Sequence, residues 1–285
     1  MVAPAVVVVI AAAIAVGLVL HGSSGAGPYK LSALQRQENV ARGQVAAWVA
    51  QQVSTTSKIA CDQPTCSALA GRGFPARNLT VLSSTSQYPY GCALVLQTAY
   101  VRSLFGQALG NDIAPVVVAT FGKGGAQIAV RVIAPHGVAA YQKSLAADLA
   151  NRKQVGADLI ASSQIAASPS ARAQLSAGLV DTRLMIGIVG LATDDHPVSI
   201  VSFGNLGSGA SAGVPLRYAD LAEQDAAAHM SSPAYVQWLR SAANGLPAAF
   251  RPIRVENVQE GAGVTVLRLE YSAPSPLGVL MPPGG

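Results

Sequence analysis

The sequence has little charge, few aromatic residues and only three cysteines in 285 residues. Charged residues make up 12% of the chain, whereas soluble domains average about 25%. Basic residues are scattered, and Arg152-Lys153 is the one adjacent basic pair, which argues against a nucleic-acid surface. A hydrophobic content of 51% excludes a disordered chain and predicts a well-buried fold.

Charge is absent altogether from Val2 to Leu20. This run is about as long as the ~20 apolar residues that a helix needs to cross the ~30 Å hydrocarbon layer. We therefore expect residues 1–21 to be a transmembrane anchor or signal segment that contacts the lipid bilayer through residues 2–20. It lacks a basic n-region and a clear small-x-small cleavage site, which favours a retained signal-anchor helix over a cleaved signal peptide.

Two signals disagree about the side of the membrane on which the body lies. The positive-inside rule counts basic residues next to a span, and Lys30, Arg36 and Arg42 favour a cytoplasmic body. The cysteines favour the opposite side, because disulfides persist in oxidising compartments. We expect a cell-membrane protein with a single N-terminal span and an extracytoplasmic body.

Cys61, Cys66 and Cys92 are the disulfide candidates. A short turn-forming segment separates Cys61 from Cys66, and each cysteine can reach either of the others, which leaves one thiol unpaired. Buried free thiols are the alternative to a disulfide. Zinc is weaker than both, because a structural site usually has four ligands and C-x4-C supplies two. The pattern predicts one disulfide of undecided pairing, no metal and no cofactor.

Apolar strands alternate with helical segments after the linker, which predicts a mixed α/β to α+β fold. We expect a Gly/Ser linker at 22–31, a layered α/β half at 32–135, a smaller α+β half at 136–273 and a Pro-rich tail at 274–285.

The pattern also predicts individual elements. In the first half, Pro115–Phe121 and Gln127–Ala134 flank glycines and predict a β-hairpin. In the second half, we expect helices at 182–191, 218–230 and 233–243, and a closing hairpin of strands 253–258 and 264–271.

Four of the distinctive segments are WVAQQV at 48–53, ATFGKGGAQIAVRVIAP at 119–135, GLVDTRL at 178–184 and GASAGVPLR at 209–217. With these segments the chain resembles an uncharacterised family of actinobacterial membrane-anchored extracytoplasmic proteins. The resemblance runs from Ala47 to Gly278 and implies a location in the cell envelope. It implies no activity, because the family has no assigned chemistry, so no site residue is transferred from it.

A glycine-rich loop from Gly204 to Gly213 carries the main chemical motif. Residues 209–213 match G-x-S-x-G, the nucleophile elbow of serine hydrolases, which would make Ser211 the nucleophile. Asp225 and His229 are the candidates for the rest of the catalytic set. Both follow Ser211 closely in the chain, and Pro215 interrupts the helix that this motif requires.

Two other interpretations of this region are weaker. Gly207-x-Gly209-x-x-Ala212 is a partial dinucleotide fingerprint that lacks the acidic partner. The order of elements also resembles zinc peptidases that cut cell-wall crosslinks, but residues 204–217 contain no histidine. Asp194, Asp195 and His196, together with Asp225 and His229, are the residues from which a metal site would have to be built.

We therefore expect an interaction or scaffolding protein of the cell envelope, because no convergent catalytic set is evident. Its expected partner is another envelope protein or a wall polymer, and not nucleic acid. The alternative is a cell-envelope hydrolase, serine-type or degenerate and zinc-peptidase-like, that uses the loop at 204–213.

Overall fold

A computed structural model describes residues 31–205, 207, 209–223, 232–260 and 264–279. The predicted anchor at 1–21 lies outside these residues, as do Asp225 and His229. Within the described ranges, no helix is long and apolar enough to cross a bilayer. In these ranges the chain is a mixed α/β protein with two five-stranded sheets, whose strands come from residues 59–132 and 165–270.

Both halves contain helices and strands. The helices are α1 (Ala33–Gln52), α2 (Gln63–Ala70), α3 (Ala99–Phe105), α4 (Val138–Ala161), α5 (Pro169–Ser176), α6 (Thr182–Leu191) and α7 (Pro233–Gly245). The strands are β1 (Ile59–Cys61), β2 (Leu79–Val81), β3 (Leu94–Gln97), β4 (Val116–Phe121), β5 (Ile128–Val132), β6 (Ile165–Ala167), β7 (Val198–Gly204), β8 (Tyr218–Glu223), β9 (Arg254–Glu260) and β10 (Val264–Glu270).

The first sheet has the strand order β2-β1-β3-β5-β4. Strand β1 is parallel to β2 and β3, and the hairpin of β4 and β5, as predicted, pairs antiparallel to β3. Alternate residues of β1 point to opposite faces of the sheet. Ile59 and Cys61 pack with α1 and α2, whereas Ala60 packs with α3 on the opposite face. Helices therefore cover both faces of this sheet.

The second sheet has the order β6-β7-β8-β10-β9, with β6 parallel to β7 and the other pairs antiparallel. Side chains from α4 to α7 pack with one face of this sheet in a single apolar cluster. The opposite face carries a buried polar group: Asp220, which is fully buried, accepts hydrogen bonds from Ser202 and from two nitrogens of Arg268.

The helix predicted at 218–230 is wrong over 218–223, which form strand β8. Ala, Leu and Glu favour a helix, but this segment pairs with β7 on one side and with β10 on the other. Ala219 and Leu221 enter the core while Asp220 points to the polar face, which is the alternation of a strand. Pairing with two neighbours therefore outweighs local propensity.

Candidate functional site

The loop from Gly204 to Gly213 belongs to the second half and forms hydrogen bonds to the first sheet. Residues 209–211 run along the edge of β4 in the first sheet, where the Thr120 N–H donates to the Gly209 carbonyl at 2.7 Å. The Ser211 N–H donates to the Val118 carbonyl at 3.0 Å, and Ala210 forms an antiparallel bridge with Ala119. The loop thus supplies β4 with a short extra strand.

Gly209 fits this bridge because it has no side chain. Its φ of +102° lies in the region that favours glycine. A Cβ built there would lie 2.7 Å from both the Thr120 carbonyl oxygen and the Phe121 ring. Gly207 lies close to Trp48 in the same way, with 3.1 Å from a built Cβ to Cδ1. The glycines of the loop therefore allow two backbones and an indole ring to pack closely.

Ser211 is half-buried beside β4, and residues 212–214 form a turn rather than the helix expected after a nucleophile elbow. The partners proposed for it, Asp225 and His229, lie outside the described residues. Their assignment as a catalytic set stays a prediction.

Two of the other polar candidates have structural partners, whereas Asp195 is exposed. Asp194 accepts a hydrogen bond from Gln164, and the His196 ring stacks on Trp238 with centroids 3.8 Å apart. No group of three or more His, Cys, Asp or Glu residues in the described part of the chain is arranged to hold a metal ion. Residues 194–196 form a turn between α6 and β7.

The predicted disulfide joins Cys61 to Cys66, and Cys92 is a buried free thiol. Cys61 ends β1 and Cys66 lies in the first turns of α2, so the disulfide encloses the segment 62–65. This segment forms part of the wall of a crevice in the first half of the molecule.

The crevice lies at the carboxyl ends of β1, β2 and β3 and has a volume of about 460 Å³. Because β1 is parallel to both neighbours, the three strands end at the same edge of the sheet. In open α/β sheets this edge is where ligands bind. Asp62, Leu82, Ser83 and Thr98 follow the strands directly and line the crevice.

Asp62 and Thr98 form the floor of the crevice. Each begins a helix: Asp62 accepts from the Thr65 N–H at 3.0 Å, and Thr98 accepts from the Val101 N–H at 3.2 Å. The Thr98 hydroxyl also donates to Asp62 at 2.8 Å, and both residues are buried. The two helix starts are thereby held at a fixed distance.

Side chains from other elements complete the crevice. Glu38 and Arg42 come from α1, and Arg42 donates to the Thr65 hydroxyl at 3.3 Å. Arg102 of α3 donates to the carbonyls of Gly125 and Gln127, which fixes the wall formed by residues 125–128. Tyr100 is 45% exposed and also lines the crevice.

Sequence reasoning did not single out Asp62 and Thr98 as a pair, because 36 residues separate them. One local signal was available: Asp followed by Gln-Pro is typical of a helix start with proline in the first turn. The pairing itself depends on the order of strands in the sheet.

Comparisons of the chain with family models, with curated proteins and with solved structures gave no match.

Proposed function

We propose that the chain is an extracytoplasmic interaction protein of the cell envelope, held at the membrane by residues 2–20, and that it binds a wall-polymer glycan in the crevice. The observation that carries the proposal is the crevice itself, at the carboxyl ends of three adjacent strands. Its volume of about 460 Å³ falls within the ~300–1,000 Å³ typical of ligand sites.

The lining of the crevice matches the chemistry of a sugar. A sugar ring presents several hydroxyl groups and an apolar face of C–H groups. Glu38 and Asp62 supply acceptors, while Arg42 and the amide of Gln127 supply donors. The partly exposed ring of Tyr100 supplies an apolar surface on which a sugar face can stack. A glycan therefore fits this mixture better than a purely apolar ligand.

The disulfide supports an extracytoplasmic location. Cys61 and Cys66 lie next to the crevice, and a bond between them persists in an oxidising compartment. The resemblance to membrane-anchored envelope proteins points to the same location. The disulfide encloses Asp62 and Gln63 of the lining, so an oxidising compartment that preserves the bond also preserves this wall of the crevice.

The location is tested by protease digestion of intact, wall-stripped cells, combined with thiol labelling before and after reduction. We expect digestion of the body from outside, and two thiols, those of Cys61 and Cys66, that appear only after reduction. A body that is protected from protease and has both of these thiols already reduced would contradict the proposal.

Glycan binding is tested by co-sedimentation of the full chain, in lipid nanodiscs, with purified insoluble cell-wall glycan. We expect Tyr100→Ala and Arg42→Gln each to weaken sedimentation at least about tenfold. The matched control is Tyr88→Ala, because Tyr88 is 49% exposed and lies outside the crevice. Equal sedimentation of all variants, or none of the unchanged chain, would rule out this assignment.

No observation in the described ranges favours the alternative hydrolase. The G-x-S-x-G segment makes two backbone hydrogen bonds to β4, and these join the two halves. The proposed binding role does not require a catalytic set.

A further inference from the structure

A second cavity lies between the two halves, and we call it the seam pocket. It has a volume of about 130 Å³ and is lined by β4 and β5, by α4, by the connection before β8 and by residues 273–277. A neighbouring cavity of about 430 Å³ shares Val132, Tyr141, Pro274, Ser275 and Leu277 with it. The seam pocket is thus an inner chamber beside a larger outer one, and it is separate from the crevice.

Arg217 lines the seam pocket and is only 4% exposed. Its Nη1 donates to the Tyr271 carbonyl at 3.1 Å, and its guanidinium carbon lies 5.9 Å from the centre of the Trp48 ring. In the described part of the chain, no carboxylate lies within ion-pair distance of it. Burial lowers its pKa to about 10, although Asp181 and Glu270 oppose this from a greater distance.

A second arginine, Arg152, lines the same pocket and is also buried. Its Nε donates to Asp148 at 2.8 Å and its Nη1 donates to the Gly178 carbonyl. Asp148 is not part of the pocket lining, so the lining includes two guanidinium groups and no acidic side chain. A buried charge without a partner is costly, and an anionic ligand would supply the missing charge at Arg217.

The remaining lining is mainly apolar and includes Val116, Val118 and Leu145. Two hydroxyl groups interrupt it. The Ser275 hydroxyl is buried and has no hydrogen-bond partner within the described ranges. Burial raises the pKa of Tyr141 to about 12, so its hydroxyl stays protonated at neutral pH and can donate. The pocket therefore combines a cationic end with an apolar wall and two hydroxyl groups.

We propose that the seam pocket binds a monocarboxylic acid with an apolar body, with the carboxylate against Arg217 and Arg152. A guanidinium fork matches a planar carboxylate in shape and charge. One negative charge on the ligand is enough to neutralise the pocket, because Arg152 already pairs with Asp148. The volume suits a body of about six non-hydrogen atoms, since an apolar cavity of about 150 Å³ holds benzene. Longer bodies extend into the outer chamber.

Hexanoate is the test ligand, and hexanamide is its uncharged control of the same shape. Binding to the full chain in lipid nanodiscs is measured by calorimetry and by the fluorescence of Trp48, which lies next to Arg217. We expect saturable binding of hexanoate with a change in fluorescence that Trp48→Phe abolishes. Hexanamide is expected to bind at least about 30-fold more weakly, because it leaves the guanidinium charge unpaired.

Two variants test the position of the ligand. Arg217→Gln removes the unpaired charge and is expected to weaken hexanoate binding about 30-fold or more. Leu145→Trp fills the pocket and leaves both arginines in the sequence. It is expected to abolish binding, so the proposal stays testable if Arg217→Gln does not fold. The matched control is Arg172→Gln, which removes an exposed arginine of α5 and should leave binding unchanged.

The proposal is overturned if hexanoate does not bind, or if hexanoate and hexanamide bind equally well. Unchanged binding to a folded Leu145→Trp variant would also overturn it, since the ligand would then lie elsewhere. Glycan sedimentation depends on the crevice and not on this pocket, so failure of one proposal is distinguishable from failure of the other.

Discussion

The two halves of the molecule begin with the same unit and then diverge. Each starts with a long helix, a three-residue strand and an eight-residue helix with proline in its first turn, namely α1-β1-α2 and α4-β6-α5. The parallel strand that links this unit to the rest of each sheet differs between the halves. Strand β3 ends at Gln97, two residues beyond its pairing with β1, whereas β7 runs four residues beyond its pairing with β6 to Gly204.

This difference in strand length determines whether the polar side chains at the strand ends face a crevice or bond to the neighbouring strand. In the first half, Asp62 and Thr98 follow short strands and face an open crevice. In the second half, the Ser168 hydroxyl at the corresponding helix start donates to the Val201 carbonyl of the longer strand at 2.8 Å. One supersecondary unit can therefore present its polar strand ends to a ligand or use them internally.

The halves also differ in the interactions that stabilise them. The four ion pairs found in the described part of the chain all belong to the second half: Asp148–Arg152, Asp181–Arg183, Asp220–Arg268 and Glu270–Arg254. The described residues of the first half contain the disulfide instead. Changes in pH should therefore act on one half and reduction on the other.

The largest effect is expected at Asp220, which is fully buried between Arg268 and Ser202. Asp220→Ala leaves a largely buried guanidinium unpaired and should lower the free energy of unfolding by about 3–5 kcal/mol. Denaturant unfolding measures this. Asp220→Leu with Arg268→Leu should restore most of the loss, and exposed Asp195→Ala should change stability by less than about 0.5 kcal/mol.

The second-largest effect on stability is expected at the bridge that residues 209–211 form with β4. Gly209→Val combines a strained backbone with a clash against Thr120 and should lower stability by about 2–3 kcal/mol. Hydrogen exchange at the Thr120 amide, which donates to Gly209, should accelerate. Gly213→Ala is the control, because Gly213 also has positive φ but open space around it. If both variants behave alike, the bridge does not join the halves as described.

Removal of the disulfide should affect the first half selectively. Cys61→Ala with Cys66→Ala opens a loop with a sequence separation of 5 residues, which should cost about 2 kcal/mol. Hydrogen exchange should increase in β1, α2 and the crevice wall, and stay unchanged in β6 to β10. Equal loosening of both sheets would show that the halves are not stabilised separately.

The smallest effect is a pH dependence in the second half. Burial raises the pKa of Glu270 above its ordinary value of 4.5, against the opposing influence of Gln52, Arg254 and Arg217. The folded state therefore holds a proton that the unfolded state has lost, so stability should fall as pH rises from 4.5 through the folded pKa.

Melting temperature measured against pH tests this prediction. Glu270→Gln should flatten the slope, because the titrating group is gone, while the exposed control Asp158→Asn should leave the slope unchanged. Asp148 adds to the slope with the same sign, since burial raises its pKa too. An identical slope in the unchanged chain and in Glu270→Gln would contradict the assignment.

Much of the fold was predictable from the sequence where local signals suffice. The helix predicted at 182–191 is confirmed residue for residue, because Asp181 caps its first turn and an apolar face follows. Strand β6 was missed, since three residues are too few to show a period. Residues 218–223 were misassigned because their pairing partners, β7 and β10, are distant in sequence.

Less of the candidate sites was predictable. The motif around Ser211 matches a nucleophile elbow through its glycines, but Gly209 allows close packing against Thr120 and Phe121 instead. The crevice and the seam pocket each combine residues from several elements, so no regular spacing of residues in the sequence indicates either site. Arg217 looks unremarkable in sequence, and its lack of a carboxylate partner is visible only once the fold is known.

The bridge at 209–211 has a consequence for biosynthesis. The first sheet is complete once residue 132 has been made, yet β4 keeps an unpaired edge until Gly209 and Ser211 arrive. The Gln52 carbonyl accepts a hydrogen bond from the Ala273 N–H, and this bond forms only after residue 273 has been made. At ordinary rates of translation this interval is on the order of ten seconds. An unpaired edge is a template for association with a neighbouring nascent chain, so β4 is exposed to such pairing during this interval.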